Sequence, residues 1–251
     1  MADNNKVTLV GKISRFQEGE ITTKSGEKMK ALRFTMEIKR AGGKYPDYPR
    51  VRMIGKMAEN FLARHKEGDK AVINGVIETS SYEKDGKPVY VTEVFATSWE
   101  KADELAQDKN VVILLGNLTR DPDNYNKVKA FFLAVTRERN RDKADFPRIV
   151  LFEDAKKSLE KYLQEIKKDD LNKGDTVSVE GHIQTGSYDK DGQKVYTTDI
   201  SVPDSDKVSF VRAAGSGKRT ESSDSGSAPE AEPAPAPQQD SWESLEEDVP
   251  F

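Results

Sequence analysis

Residues Gly75 to Val94 (GVIETSSYEKDGKPVYVTEV) and Gly181 to Ile200 (GHIQTGSYDKDGQKVYTTDI) are one segment written twice. An internal repeat of this length divides a 251-residue chain into two units of roughly 100 residues, each small enough to need a well-closed core of its own. Within each copy, strand-like alternation runs into an Asp-Gly dipeptide, Asp85-Gly86 or Asp191-Gly192, and then resumes. Asp-Gly accepts the positive φ of a tight reversal, so each copy is predicted to be a β-hairpin.

The flanking sequence repeats in the same order. Val7, Leu9, Gly11 and Ile13 alternate with Thr8, Val10 and Lys12, and Val112, Leu114, Gly116 and Leu118 take the matching places in the second copy. Second strands are predicted over Met29 to Lys39 and Val128 to Arg139, and third strands over Arg50 to Ile54 and Arg148 to Phe152. Leu159, Tyr162, Leu163 and Ile166 then recur at helical spacing, with Ala58, Phe61, Leu62 and His65 on a shorter helix in the first copy. Gly68-Asp69 and Gly174-Asp175 open the fourth strand, which enters the hairpin. Three strands, a helix and two strands is the order of the OB-fold, a five-stranded barrel whose sheet face and loops bind oligonucleotides or oligosaccharides. The expectation is an all-β protein with one short helix per domain: tandem OB-fold barrels over 1–104 and 105–212, joined through Glu100 to Asn110. Beyond Arg212 the chain turns to Gly, Ser, Pro, Ala and acid, which cannot bury enough surface to fold, so 213–251 is predicted to be a disordered acidic tail.

Forty Lys and Arg against 44 Asp and Glu give a net charge of -4, at first sight unfavourable to a polyanion ligand. The tail from Ala213 holds nine acids and two bases, so it carries -7 and the body +3. Without cysteine there is no disulfide framework or thiolate chemistry, as suits a reducing compartment. No apolar run reaches the roughly 20 residues of a membrane span, and the first residues lack a signal-peptide core, which points to the cytoplasm. His65 and His182 share no motif, the Asp169-Asp170 pair lacks metal-ligand spacing, and no phosphate-binding glycine motif occurs. Catalysis, a metal and a cofactor are therefore not expected.

Binding candidates cluster by repetition. Tyr82 with Lys84 and Tyr188 with Lys190 place an aromatic ring beside a positive charge near each hairpin tip, which suits a base stacked over a phosphate. Packing against Tyr90 and Tyr196 across the turn is the competing reading. Tyr48 and Phe146 precede Pro49-Arg50 and Pro147-Arg148 at the entry to the third strand, where they serve either as platforms or as barrel caps. Phe152, at a strand end, competes with core packing. The basic loops Lys39, Arg40 and Lys44, and Arg137, Arg139, Arg141 and Lys143, read as phosphate-tracking, with Arg50 and Arg148 beside them. Glu138, Asp142 and Asp145 interrupt the second loop.

The second copy resembles the bacterial single-stranded DNA-binding proteins through ILLGNLTRDP at Ile113 to Pro122, RIVLF at Arg148 to Phe152 and GSYDKDGQKVYTTDI at Gly186 to Ile200. The first is a more diverged relative through VGKI at Val10 to Ile13, GKMAENF at Gly55 to Phe61, and its hairpin. The resemblance implies stacking positions at Tyr48, Ile54 and Tyr82 and at Phe146, Phe152 and Tyr188. A further position usually held by tryptophan falls on Asn140, which implies weaker binding per nucleotide, above all in the first barrel. It also implies a homodimer presenting four barrels, sequence-tolerant binding of single-stranded DNA in replication, recombination and repair, and no reaction catalysed. Alternatives are an OB-fold RNA binder and a protein-interaction scaffold.

The end of the chain, Glu246, Glu247, Asp248, Val249, Pro250 and Phe251, is similar to the acidic tip by which that family docks replication and repair enzymes. A ring and a terminal carboxylate behind a stiff proline and three acids suit a basic pocket with an apolar floor. Removing Glu243 to Phe251 is expected to abolish capture of such partners while leaving DNA affinity equal or slightly higher. Lower DNA affinity of the truncated chain in an oligo(dT) titration would refute this.

Overall fold

The computed structural model describes residues 4–23, 26–40, 45–84, 87–137, 140–190, 193–203 and 207–215, with the backbone alone at 84, 87–89, 188, 190 and 193–195. The first copy comprises β1 (Asn5–Thr22), β2 (Lys28–Glu37), β3 (Arg50–Ile54), α1 (Lys56–Leu62), β4 (Lys70–Lys84) and β5 (Lys87–Lys101). The second comprises β6 (Lys109–Leu118), β7 (Asp123–Asn124), β8 (Val128–Thr136), β9 (Ala144–Asp145), β10 (Arg148–Phe152), α2 (Glu153–Glu165), β11 (Thr176–Lys190), β12 (Gln193–Val202) and β13 (Val208–Arg212). Both third strands match the sequence expectation. The linker is shorter than expected, because β5 runs to Lys101 and β6 begins at Lys109.

Each copy closes into a barrel. β1 pairs with β4 through Val7 to Lys12 and with β2 through Lys12 to Thr22, so one long strand belongs to two parts of the sheet. It bends at a register shift between Ser14 and Gln17, where Arg15 takes φ 55°. β2 pairs with β3, β3 runs parallel to β5, and the β4/β5 hairpin returns the sheet to β1. The circuit β6, β8, β10, β12, β11 and back to β6 repeats that order. Closure brings backbones together where only glycine fits. A Cβ on Gly181 would lie 2.5 Å from the Ser201 carbonyl oxygen, and Gly75 faces that of Phe95 in the same way.

Inside, alternate residues of every strand meet: Val7, Leu9 and Ile13 of β1 are fully buried, as are Val177, Val179 and Ile183 of β11. The helices plug one end. α1 contributes Ala58 and Phe61, and α2 contributes Ala155, Leu159 and Leu163. Ile166, expected on the apolar stripe, is exposed because α2 stops at Glu165 and Lys167 turns the chain at φ 56°. In the first barrel Phe61 stacks on Phe34 at 5.0 Å and on His65 at 4.4 Å, with Trp99 edge-on to both Phe61 and His65.

The barrels are joined by β1 and β6, which pair antiparallel from Asn5 opposite Leu114 to Val10 opposite Lys109. The pairing is reciprocal about Val7 opposite its equivalent Val112: Asn5 faces Leu114, and Leu9 faces Asn110. The two asparagines act alike. Asn5 Oδ1 accepts the Ile77 N–H at 2.8 Å while its Nδ2 donates to the Ile77 carbonyl at 2.8 Å, and Asn110 does the same with Ile183 at 2.9 and 2.8 Å. Each amide thus stands in for a strand neighbour just past the point, at Gly75 or Gly181, where the β1/β4 or β6/β11 ladder ends.

Two outcomes follow from this packing. Gly181→Ala should destabilise the protein by about 1 to 3 kcal/mol in chemical denaturation, because the added carbon meets a carbonyl; unchanged stability would show that the strands can part there. Burial holds the His65 imidazole below the usual histidine value, so protons bind the unfolded chain more readily than the folded one. The stability of the neutral ring is complete above the unfolded value of 6.5 and is lost as pH falls below it. His65→Leu should therefore lose less stability than the parent between about pH 7.5 and pH 5, with His182 common to both proteins. Equal losses would count against it.

Candidate nucleic-acid interface

The third strand of each barrel sorts its side chains by parity. In β3, Val51 and Met53 point into the core while Arg50, Arg52 and Ile54 lie outward, and in β10 Ile149 and Leu151 point inward while Arg148 and Phe152 lie outward. Ile54 and Phe152 hold the same register position, opposite Ala31 in one barrel and Val128 in the other. Tyr48 and Phe146 enter these strands through a proline, and both are exposed, at 45% and 47%. Phe152 is exposed at 47%, so it does not belong to the core. Phe146 and Phe152, about 20 Å apart along an extended chain, therefore bracket Arg148 on one surface. Tyr82 is half-buried. The Tyr188, Lys84 and Lys190 side chains, Arg139, and Glu246 to Phe251 lie outside the described residues, and Lys39 and Arg141 are exposed.

The outward charges differ between barrels. In the first, the Arg52 guanidinium lies 2.7 Å from Glu93 and 2.5 Å from Glu78, Arg33 lies 3.3 Å from Glu93, and Arg52 covers the Phe95 ring at 5.1 Å. Burial draws the Arg50 guanidinium below its usual value; Glu93 opposes that shift and Arg33 adds to it. In the second, Ala130 and Val150 stand where Arg33 and Arg52 do, leaving Arg148 against Asp199 at 3.2 Å. Burial pushes the Asp199 carboxyl up and Arg148 pulls it back. Arg33 and Arg52 were not among the sequence candidates. The signal available for Arg52 was its two-residue spacing from Arg50.

Arg40 and Arg137 are placed otherwise than the sequence reading of phosphate-tracking loops expects. Arg137 grips Asp145 bidentately, Nε to Oδ2 at 2.9 Å and an Nη to Oδ1 at 2.6 Å, and donates to the Thr79 carbonyl of the first barrel at 2.9 Å. Asp145 Oδ1 accepts the Thr79 N–H at 2.6 Å, and the Phe146 N–H donates to Thr79 Oγ1 at 2.9 Å. The first barrel reciprocates. Arg40 holds Asp47 at 2.9 and 2.6 Å and donates to the Thr185 carbonyl at 2.9 Å, while the Thr185 N–H reaches Asp47 and the Tyr48 N–H reaches Thr185 Oγ1, both at 2.9 Å. Asp47 and Asp145 are buried to 1% exposure, and a carboxylate so buried requires such a partner. Asp145, one of the acids that seemed to weaken the second basic loop, directs Arg137 of that loop to the neighbouring barrel, and Asp47 does the same for Arg40.

Among the described residues, no group of three or more His, Asp or Glu is placed to hold a metal ion, and no helix is long and apolar enough to cross a membrane. Two closed barrels of this strand order, each with an exposed aromatic at the entry to its third strand and an outward arginine at that strand's start, define a tandem OB-fold protein. The chain belongs to the single-strand binding protein family, whose family model matches residues 4–101 and 109–211. It is similar to the single-stranded DNA-binding protein of Clostridium perfringens, 34% identical over 117 residues that span 44% of this chain and 71% of the relative. Single-stranded DNA-binding protein 1 of Staphylococcus aureus is 37% identical over 112 residues, 41% of this chain and 65% of the relative. A crystal structure of a deletion mutant of the single-stranded DNA binding protein from Thermus aquaticus superposes with a TM-score of 0.59 at 25% identity, covering 86% of this chain and 98% of that one.

Proposed function

We propose that this protein binds single-stranded DNA with little sequence preference along the outer faces of both barrels. Bases stack on Tyr48, Phe146 and Phe152 and on the hairpin tyrosines Tyr82 and Tyr188, and Arg50, Arg148, Arg141, Arg139, Lys39, Lys84 and Lys190 follow the phosphates. The observation that carries the reading is the pair of exposed phenylalanines on either side of Arg148. A large ring left half in water at such a position has no packing role that would hold it there, whereas every base offers it a π-face. Membership of the family and similarity to single-stranded DNA-binding proteins support the same ligand. In this reading the chain acts as a cytoplasmic homodimer, protects single strands during replication, recombination and repair, and recruits partners through the acidic tip; two units of 1–104 and 105–212 do the binding.

Titration with oligo(dT) tests it. Phe146→Ala and Phe152→Ala should each weaken binding about tenfold or more, since stacking contributes on the order of 1 to 3 kcal/mol per base, while the melting temperature barely moves. Duplex DNA should bind far more weakly than the single strand. Equal affinity for the two, or tighter binding of poly(U) than of poly(dT), would overturn the assignment, and light scattering on the same samples gives the stoichiometry of chains.

A further inference from the structure

Tyr48 and Phe146, the exposed aromatics at the mouth of each third strand, are not fixed by their own barrel alone. The Phe146 N–H is held by the Thr79 hydroxyl of β4, and the Tyr48 N–H by the Thr185 hydroxyl of β11, each at 2.9 Å. Beside each contact an arginine fork, a buried carboxylate and the same threonine's backbone form a closed set: Arg137, Asp145 and Thr79, and Arg40, Asp47 and Thr185. Thr79 precedes Tyr82 by three residues on β4, and Thr185 precedes Tyr188 by three on β11, roughly 10 Å along a strand. Each aromatic at a strand mouth therefore emerges beside the strand that leads to the other barrel's hairpin.

We propose that these two reciprocal clasps are positioning devices for the nucleic acid, setting the Phe146 platform against the Tyr82 hairpin and the Tyr48 platform against the Tyr188 hairpin so that one strand passes from barrel to barrel along composite tracks. Arg40 and Arg137 then act through Asp47 and Asp145 and not as phosphate ligands. Their donors at the fork are committed to a carboxylate and a carbonyl within the protein, and the geometry is bidentate, which fixes orientation as well as distance. The functional consequence is one of effective concentration. A strand bound on one barrel meets the next platform at a fixed separation, so the second contact is intramolecular and does not wait for the barrels to find a common geometry.

The inference rests on the single-stranded DNA reading, and the experiment separates the two. In the full chain, Arg40→Gln with Arg137→Gln removes both forks, and Thr79→Val with Thr185→Val removes only the hydroxyls that hold Phe146 and Tyr48. Each double variant is titrated with oligo(dT) short enough to occupy one barrel and long enough to span both, at several salt concentrations. Expected is a loss of about tenfold or more for long oligonucleotides in the arginine variant and a smaller loss in the threonine variant. Short ones should change less than about twofold, with the log-log salt slope unchanged. A parallel loss for short and long DNA, no loss for either, or a slope reduced by about 0.7 per arginine would overturn the clasp while leaving DNA binding standing. Failure of the unmodified protein to bind any oligo(dT) would instead remove the underlying reading. If the arginine variant does not fold, the threonine variant, whose ion pairs remain intact, decides the matter by the same comparison of short and long DNA.

Discussion

The antiparallel pairing of β1 with β6 is the contact on which the molecule's organisation depends. Each of these strands is already committed to its own barrel, β1 to β2 and β4, β6 to β8 and β11, so pairing them joins two closed sheets into one surface. Because the pairs across the seam are reciprocal, Asn5 with Leu114 and Leu9 with Asn110 about Val7 opposite Val112, the two copies are related as an isologous dimer would be, and a contact made in one direction can be repeated in the other. The asparagine pair Asn5 and Asn110 and the two arginine clasps are such repeats. A covalent linker of seven residues, 102–108, supplies the proximity that a separate dimer would have to obtain by association.

Within that frame the barrels have diverged where they need not be the same. Positions that close each barrel or clasp it to the other are held in both: glycine opposite a carbonyl at 75 and 181, asparagine at 5 and 110, and threonine at 79 and 185. Positions on the outer face are free to differ. The first barrel fills its face with Arg33, Arg52, Glu78 and Glu93, a network in which each carboxylate serves guanidinium groups. The second has small apolar residues in two of those places and an exposed phenylalanine at 152 in place of Ile54. Ion pairs within the protein close the first face, and the second leaves a ring in water.

The buried carboxylates Asp47 and Asp145 illustrate how a local pattern misleads. Along the chain Asp145 sits beside a basic loop and reads as a charge that dilutes it, and Asp47 carries no signal of its own. In space each has a bidentate arginine and a threonine N–H, and exclusion from water strengthens each of those bonds. The same burial makes the pair costly to break from one side, since removal of the arginine leaves a carboxylate without its counter-charge.

What the sequence determined by itself was the architecture. The repeated hairpin, the alternation of Val7 to Ile13 and Val112 to Leu118, and the helical spacing through Leu159 and Leu163 are local periodicities, and a local periodicity states which face of an element is apolar. They define two OB-folds, place the third strands at Arg50 to Ile54 and Arg148 to Phe152, and single out Tyr48, Phe146 and Phe152. Tertiary structure alone decided which way the side chains of mixed character turn. Phe152 lies outward because the parity of β10 is set by Ile149 and Leu151 inside, while Arg40 and Arg137 turn to the neighbouring barrel because the β1/β6 seam brings Thr185 and Thr79 within reach. That seam joins residues about a hundred positions apart, and no short-range pattern can encode the partner of a strand whose own barrel is already complete.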